Sequence, residues 1–170
     1  MILLKVLNKQ LFKEVKFSIR LMLNLLMKKF LYWFISLTWG ALLSIPGLLV
    51  ALFIVVFLKG KVHKNGYSFI VEFGGNWGGL NLGVVSFCGG YTTTCKDLKW
   101  FESTRRHEAG HSIQNLMLGP LTLFIVTIPS AIRYWYRVLT PNKQHSDYYA
   151  IWFERTANTL GERYINKVEI

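Results

Sequence analysis

Charge is scarce in this chain, and negative charge is scarcest. Of 170 residues only 17% are charged, nine acidic against twenty basic, while 52% are hydrophobic and 15% aromatic. That balance is too apolar for an ordinary soluble domain of this size and points to the membrane class. Cysteine is limited to Cys88 and Cys95, which flank Gly89-Gly90-Tyr91-Thr92-Thr93-Thr94. With no second pair and no knuckle spacing, a cysteine zinc site is excluded; a loop disulfide and two unreactive thiols both remain open. There is no internal repeat and no low-complexity tract. The length suits a single domain.

The longest charge-free run is Phe30 to Leu58, 29 residues. A spanning helix needs about 20 apolar residues, so the run suffices with room for tilt. It exceeds the ~7–15 residues of a signal-peptide core, and Lys59-Gly60-Lys61 rather than a small-residue cleavage site follows. Residues 30–58 therefore read as a retained transmembrane segment, with Pro46-Gly47 as the point where it would kink or fold into a hairpin. Ahead of it, Lys5, Lys9, Lys13, Lys16, Arg20, Asn24 and Lys28 recur every three or four residues among aliphatic side chains. Residues 1–29 read as a basic amphipathic helix lying on an anionic lipid surface. A net charge of +11 also raises nucleic acid as a partner. Aliphatic rather than stacking aromatic residues interleave the cations, however, so no nucleic acid is expected. Seven cations precede the run and only Lys59, Lys61 and Lys64 stand close behind it, which predicts a cytoplasmic N-terminus.

Residues 59–170 hold the chemistry. Tyr67–Phe73 and Leu80–Phe87 are rich in strand formers on either side of a glycine-rich turn, and predict a β-hairpin over 66–87. A helix over 103–118, capped by Ser103, follows. The apolar segment 116–137 is broken by Gly119-Pro120 and Pro129 and closed by Arg133, Tyr134, Trp135, Tyr136 and Arg137, an interface-belt composition. A last helix spans 146–167. The expected fold class is thus mainly α with a small β-hairpin, in a membrane.

His107-Glu108-Ala109-Gly110-His111 spells H-E-x-x-H within the 103–118 helix. Residues i and i+4 share a helix face, so both imidazoles can reach one metal ion, with Glu108 beside the open position as general base. The plain alternative is two polar-face histidines and a salt-bridging glutamate. A catalytic zinc wants a third protein ligand. His145, Asp147, Glu154 and Glu162 follow the motif; His63, Glu72, Asp97 and Glu102 precede it. Glu154 is preferred, because it stands on a predicted helix with Asn158 one turn on, where the amide could bond a ligand histidine. Its alternative is a surface carboxylate paired with Arg155 or in the neighbourhood of Arg163.

With these residues the chain resembles small membrane-bound metallopeptidases of the gluzincin type, in which H-E-x-x-H is followed on a later helix by a glutamate and, four residues on, an aspartate. The resemblance implies zinc held by His107, His111 and Glu154, and Glu108 as catalytic base; Asn158 stands where that family has aspartate. His111-Ser112 with Leu118-Gly119-Pro120 is also similar to the site-2 intramembrane proteases, over about 15 residues and without their Asn-Pro-Asp-Gly element. The same H-E-x-G-H, Leu-Gly-Pro and late glutamate resemble uncharacterised small bacterial membrane proteins, which implies a bacterial inner (cytoplasmic) membrane.

These readings predict a membrane-bound, zinc-dependent metallopeptidase acting on a peptide or membrane-protein substrate near the membrane surface. The alternative is a non-enzymatic integral membrane protein with a structural or degenerate metal site, and a third is a membrane-active protein driven by its basic helix. His145, Tyr148 and Tyr149 are candidates to steady an oxyanion. Topology constrains the site: if 116–132 crosses the bilayer, His111 and Glu154 lie on opposite faces. The metal therefore requires that segment to dip and return at Pro129, each arm reaching about 12 Å, or a span that starts well after the histidines with Glu154 replaced by another ligand.

Overall fold

The computed structural model describes residues 2–75, 77–90 and 98–168, with residues 2–12 as backbone alone. The chain is mostly helical, 69%, with one small four-stranded sheet. It divides into two units, Met1–Phe34 and Ile35–Ile170. The first is a helical arm, most of α1 (Ile2–Leu37). No glycine or proline precedes Gly40, so nothing interrupts the helix at the expected boundary between 29 and 30. From Lys13 to Leu31 its basic and aliphatic side chains alike are exposed.

The charge-free run is not the single helix expected of residues 30–58. It breaks at Thr38–Gly40, and α2 (Ala41–Phe57) follows. The break lies where Gly40 meets α3: a Cβ there would stand 2.3 Å from Asn115 Nδ2, which instead reaches the Gly40 carbonyl and Ser44 Oγ. Pro46-Gly47, the expected kink, stays inside α2. Gly47 serves close packing, since a Cβ would lie 2.4 Å from the Leu82 carbonyl oxygen. Seventeen residues give about 25 Å of helix against a ~30 Å hydrocarbon core. No single described helix is long and apolar enough to cross a membrane; Lys13–Leu37 and Ala41–Phe57 pass that test only as a pair, bent at the break.

The sheet also corrects the expected hairpin. Its strands are β1 (Lys61–Asn65), β2 (Ser68–Phe73), β3 (Gly79–Leu82) and β4 (Val85–Gly89), in the order β1-β2-β4-β3. The two segments expected to pair as one hairpin belong to two. β1 pairs β2 and β3 pairs β4, both antiparallel, while β2 and β4 run parallel with Ile70 opposite Ser86. Each hairpin turns over two residues led by a glycine of positive φ, Gly66 at 65° and Gly83 at 66°. β1, Lys-Val-His-Lys-Asn, is a charged edge strand of the kind that resists further pairing. β3 forms the opposite edge, beside the site.

The sheet lies between helices. Ile70 and Cys88 pack with Phe101 of α3 (Leu98–Leu118) on one face. On the other, Ile54 of α2 meets Gly60 and Val71, and Ser44 Oγ accepts from the Val84 amide at 3.2 Å. α3 is already helical at Leu98, five residues before the expected cap, so Ser103 lies within it, and Phe101 is buried in the core. Cys88 is buried in β4, and Cys95 lies outside the described residues.

After α3 the chain turns at Gly119-Pro120, with Gly119 at φ 54°, and does not turn back at Pro129. A π-helical turn (Leu123–Thr127) runs directly into α4 (Ile128–Leu139). Here the Ile128 amide bonds the Leu123 carbonyl, five residues back, so the local register has already slipped where Pro129 withholds its donor. The dip and return at Pro129 is therefore absent. The chain returns through residues 140–147 to a 3₁₀ turn (Tyr148–Ala150) and α5 (Trp152–Val168).

Candidate metal centre

The site is made by two helices that touch along their backbones. A Cβ on Gly110 of α3 would lie 1.8 Å from the Ala157 carbonyl oxygen, and one on Gly161 of α5 would lie 1.8 Å from that of Arg106. Only small residues at this crossing allow the approach. On α5, Glu154, Ala157, Asn158 and Gly161 follow the i, i+3, i+4, i+7 spacing of one helix face. The glycine contacts thereby carry Glu154 onto the histidines of α3.

His107 Nε2 lies 3.0 Å and His111 Nε2 3.4 Å from Glu154 Oε2, and the two Nε2 atoms are 3.1 Å apart. Their ligand atoms all fall within 4.8 Å of one another, so the group could hold a metal ion. All three side chains are buried, Glu154 completely. A surface carboxylate paired with Arg155 is thus excluded.

The outer nitrogens fix the tautomers. Gln114 Nε2 donates to the Phe153 carbonyl at 2.7 Å and to Thr156 Oγ1 at 2.9 Å, so its Oε1 must face His111 Nδ1, 2.7 Å away. His111 Nδ1 therefore carries the proton. Asn158 Oδ1 stands 2.7 Å from His107 Nδ1 in the corresponding place. Both Nε2 atoms are left as acceptors, pointing at a carboxylate oxygen with no hydrogen-bond donor among the described residues. Three convergent buried acceptors call for a cation: a shared proton or a metal. The donor set fits a metal ion on that ground.

The charges follow. Burial disfavours the His107 imidazolium, but Glu154, Glu108 and Asn158 outweigh it and raise the pKa. Burial would raise Glu154, yet His107 and His111, once a proton is shared at their Nε2 atoms, and the Ser130 hydroxyl hold its carboxyl well below the usual range. Glu108 goes the other way: burial pushes it up against the pull of His107 and His111. The backbone of β3 covers it so closely that a Cβ on Gly79 would lie 2.2 Å from Glu108 Oε1. Asn81 Nδ2 locks β3 there by donating to the Glu108 carbonyl at 3.3 Å and to Ser86 Oγ at 3.0 Å. Glu108 Oε2 is buried with no hydrogen-bond partner among the described residues.

His107, Glu108 and His111 line a cleft of about 580 Å³ together with Leu80 of β3, Val126 and Val138. Tyr149 lines it with its ring 5.3 Å from that of His107. The other ligand candidates lie elsewhere. His145 bonds the Thr140 carbonyl at 2.8 Å and is no wall of the cleft, which also removes it as an oxyanion donor. Asp147 caps the Tyr149 amide at 3.1 Å, His63 pairs with Glu72 at 3.0 Å, and Glu102 pairs with Arg105 at 2.8 Å. Glu162 is exposed, and Asp97 lies outside the described residues. Sequence reasoning missed Gln114, although its place three residues after His111 on the same face was a usable signal. Ser130, which bonds Glu154 Oε1, and Gly79, whose role depends on strand pairing, carried none.

No family model, no curated protein and no solved structure matches this chain.

Proposed function

We propose that the chain is a membrane-bound, zinc-dependent metallopeptidase that hydrolyses peptide bonds beside a lipid bilayer. One observation carries the reading: His107 Nε2, His111 Nε2 and Glu154 Oε2 converge as buried acceptors, and His107, Glu108 and His111 line an open cleft. Two imidazoles and one carboxylate are the donor chemistry of a catalytic zinc. When bound, the metal supplies Lewis acidity, making water a better nucleophile at neutral pH and a carbonyl a better electrophile.

The chain's own residues do the rest. Glu108 accepts a proton from the attacking water as its oxygen bonds the carbonyl carbon. It returns that proton to the amide nitrogen as the C–N bond breaks, so the count of protons closes over one turnover. Its upward-shifted pKa makes it a stronger base. Tyr149, on the cleft wall, is the donor for the oxyanion, because the Tyr148 hydroxyl is engaged by Ser130 at 2.9 Å. β3, the sheet edge that borders the cleft, suits an extended peptide added as a further strand.

Exposed apolar side chains support the bilayer as partner. On α2, Leu49 is 64% and Phe57 69% exposed; on α4, Ile132 is 64% and Leu139 76%. Faces of this kind are rare on soluble monomers. With the basic arm of α1 on the anionic leaflet, the N-terminus lies on the cytoplasmic side. The test is metal analysis of the full chain beside its hydrolysis of a mixed, unstructured peptide substrate. One zinc per chain, with hydrolysis lost and zinc kept in Glu108→Gln, is the expected result. Zinc without wild-type hydrolysis would transfer the reading to a non-enzymatic metal site, and no metal at all would overturn both.

A further inference from the structure

The two oxygens of Glu154 have different neighbours. Oε2 faces the histidines, at 3.0 and 3.4 Å. Oε1 faces Ser130 Oγ of α4, which bonds it, and Ser130 Oγ is in turn 2.9 Å from Tyr148 OH. The direction of this chain follows from counting protons. An ionised carboxylate only accepts, so the single hydroxyl proton of Ser130 goes to Glu154. The bond between Ser130 and Tyr148 must then be donated by Tyr148. The polarity is Tyr148 to Ser130 to Glu154, with every donor used once.

Tyr148 is held for this task. Arg133 Nε donates to the Tyr148 carbonyl at 3.3 Å and Arg133 Nη2 to that of Asp147 at 2.6 Å, while Arg137 Nη1 donates to that of Ser146 at 2.6 Å. Both guanidinium carbons lie over the Tyr148 ring, 5.7 and 5.6 Å from its centre. Ser130, Arg133 and Arg137 have i, i+3, i+7 spacing, one face of α4. The π turn immediately before sets that face: one extra residue in a turn rotates all that follows by about 100°.

We propose that Ser130, oriented by Tyr148, is a positioning residue of the metal centre, occupying Glu154 Oε1 so that the carboxylate ligates through Oε2 alone. The inference rests on the metal reading above. A carboxylate with both oxygens free can chelate and fill a second coordination position. A catalytic zinc needs that position open. Ser130 therefore keeps the centre competent by hydrogen bonding, from a helix that contributes no ligand.

The test uses the full chain loaded with cobalt(II) in place of zinc. The readouts are affinity and the visible absorption of the ion, which weakens as coordination rises from four to five. Ser130→Ala should lower affinity about 10–100-fold, the usual range for loss of such a partner, and weaken the absorption. Ser130→Thr, which keeps the hydroxyl, should restore both. Tyr148→Phe should move both in the same direction by less, and it carries the comparison if Ser130→Ala does not fold. Wild-type chain that binds one cobalt, with variants identical to it in affinity and spectrum, overturns the role of Ser130 and leaves the metal reading standing. Wild-type chain that binds no cobalt overturns the metal reading and this inference with it.

Discussion

Gly110 and Ala157 meet with no room between them: a single added carbon on Gly110 would lie 1.8 Å from the Ala157 carbonyl oxygen. That oxygen belongs to α5 backbone, which cannot swing aside as a side chain can. Gly110→Ala must therefore push α5 away from α3, one turn from Glu154. Overpacking of this kind costs about 1–3 kcal/mol, or about 2–4 °C in Tm per kcal/mol for a chain of this size. Metal affinity should fall with stability, since the displaced helix carries one of the three ligands. Thermal melts and metal titration measure both, and an unchanged Tm with unchanged stoichiometry would show that the helices do not pack this closely.

Removing ligands and removing the base should give different phenotypes. His107→Ala, His111→Ala and Glu154→Ala each leave two protein ligands, and each should lose stoichiometric metal. Glu108→Gln keeps all three ligands and should bind metal as the wild type does, with hydrolysis reduced at least ~10²-fold. Metal analysis beside a peptide-hydrolysis assay separates the two groups. Glu154→Ala with wild-type metal affinity would remove Glu154 from the ligand set.

The residues that separate these variants are legible in the amino-acid sequence, because H-E-x-x-H needs only helical spacing and Glu154 needs only a later helix. Strand pairing is less legible. The segments around Phe69 and Val85 read as strands, but their parallel register depends on β1, whose Lys61, His63 and Lys64 hide a strand behind the charges of an edge. Glycine and proline mislead in opposite ways. Pro46 and Pro129 read as breaks but lie inside helices, whereas Gly40 follows the end of one because Asn115, 75 residues away, occupies the space beside it. Ser130 shows the same limit, since its partner Glu154 is fixed by the Gly110 crossing and not by local sequence.

Metal-induced stabilisation should grow as pH rises. The folded pKa of His107 is raised above its ordinary 6.5, so its contribution to the metal-free fold is complete at lower pH and lost as pH climbs through the folded value. Glu108, raised by burial, withdraws stability in the same direction as it ionises. Glu154 is lowered from 4.5, and its contribution is present above that value and lost only under strong acid. As pH climbs above 6.5 the metal-free chain thus loses the proton that joins its three acceptors, while a metal no longer competes with that proton. Melts with zinc and with a chelator should diverge over that rise in pH. A zinc-induced shift that is flat or shrinks with pH would contradict the assignment of His107 as a ligand.

Lipid contact by α2 makes a prediction with opposite signs for opposite solvents. Leu49 and Phe53 are 64% and 54% exposed, on a helix whose other face, through Ser44 and Gly47, is fixed to the sheet. Lysine at either position therefore disturbs little internal packing. If that outer face meets water, Leu49→Lys with Phe53→Lys should be neutral or improve solubility. If it meets hydrocarbon, each charge costs about 3 kcal/mol near the bilayer centre, and the pair should abolish stable integration. Alkaline carbonate extraction of membranes reads the outcome. The wild type should remain in the pellet and the double variant should move to the supernatant or be degraded; a wild type that is itself released would end the bilayer reading, whatever the metal site does.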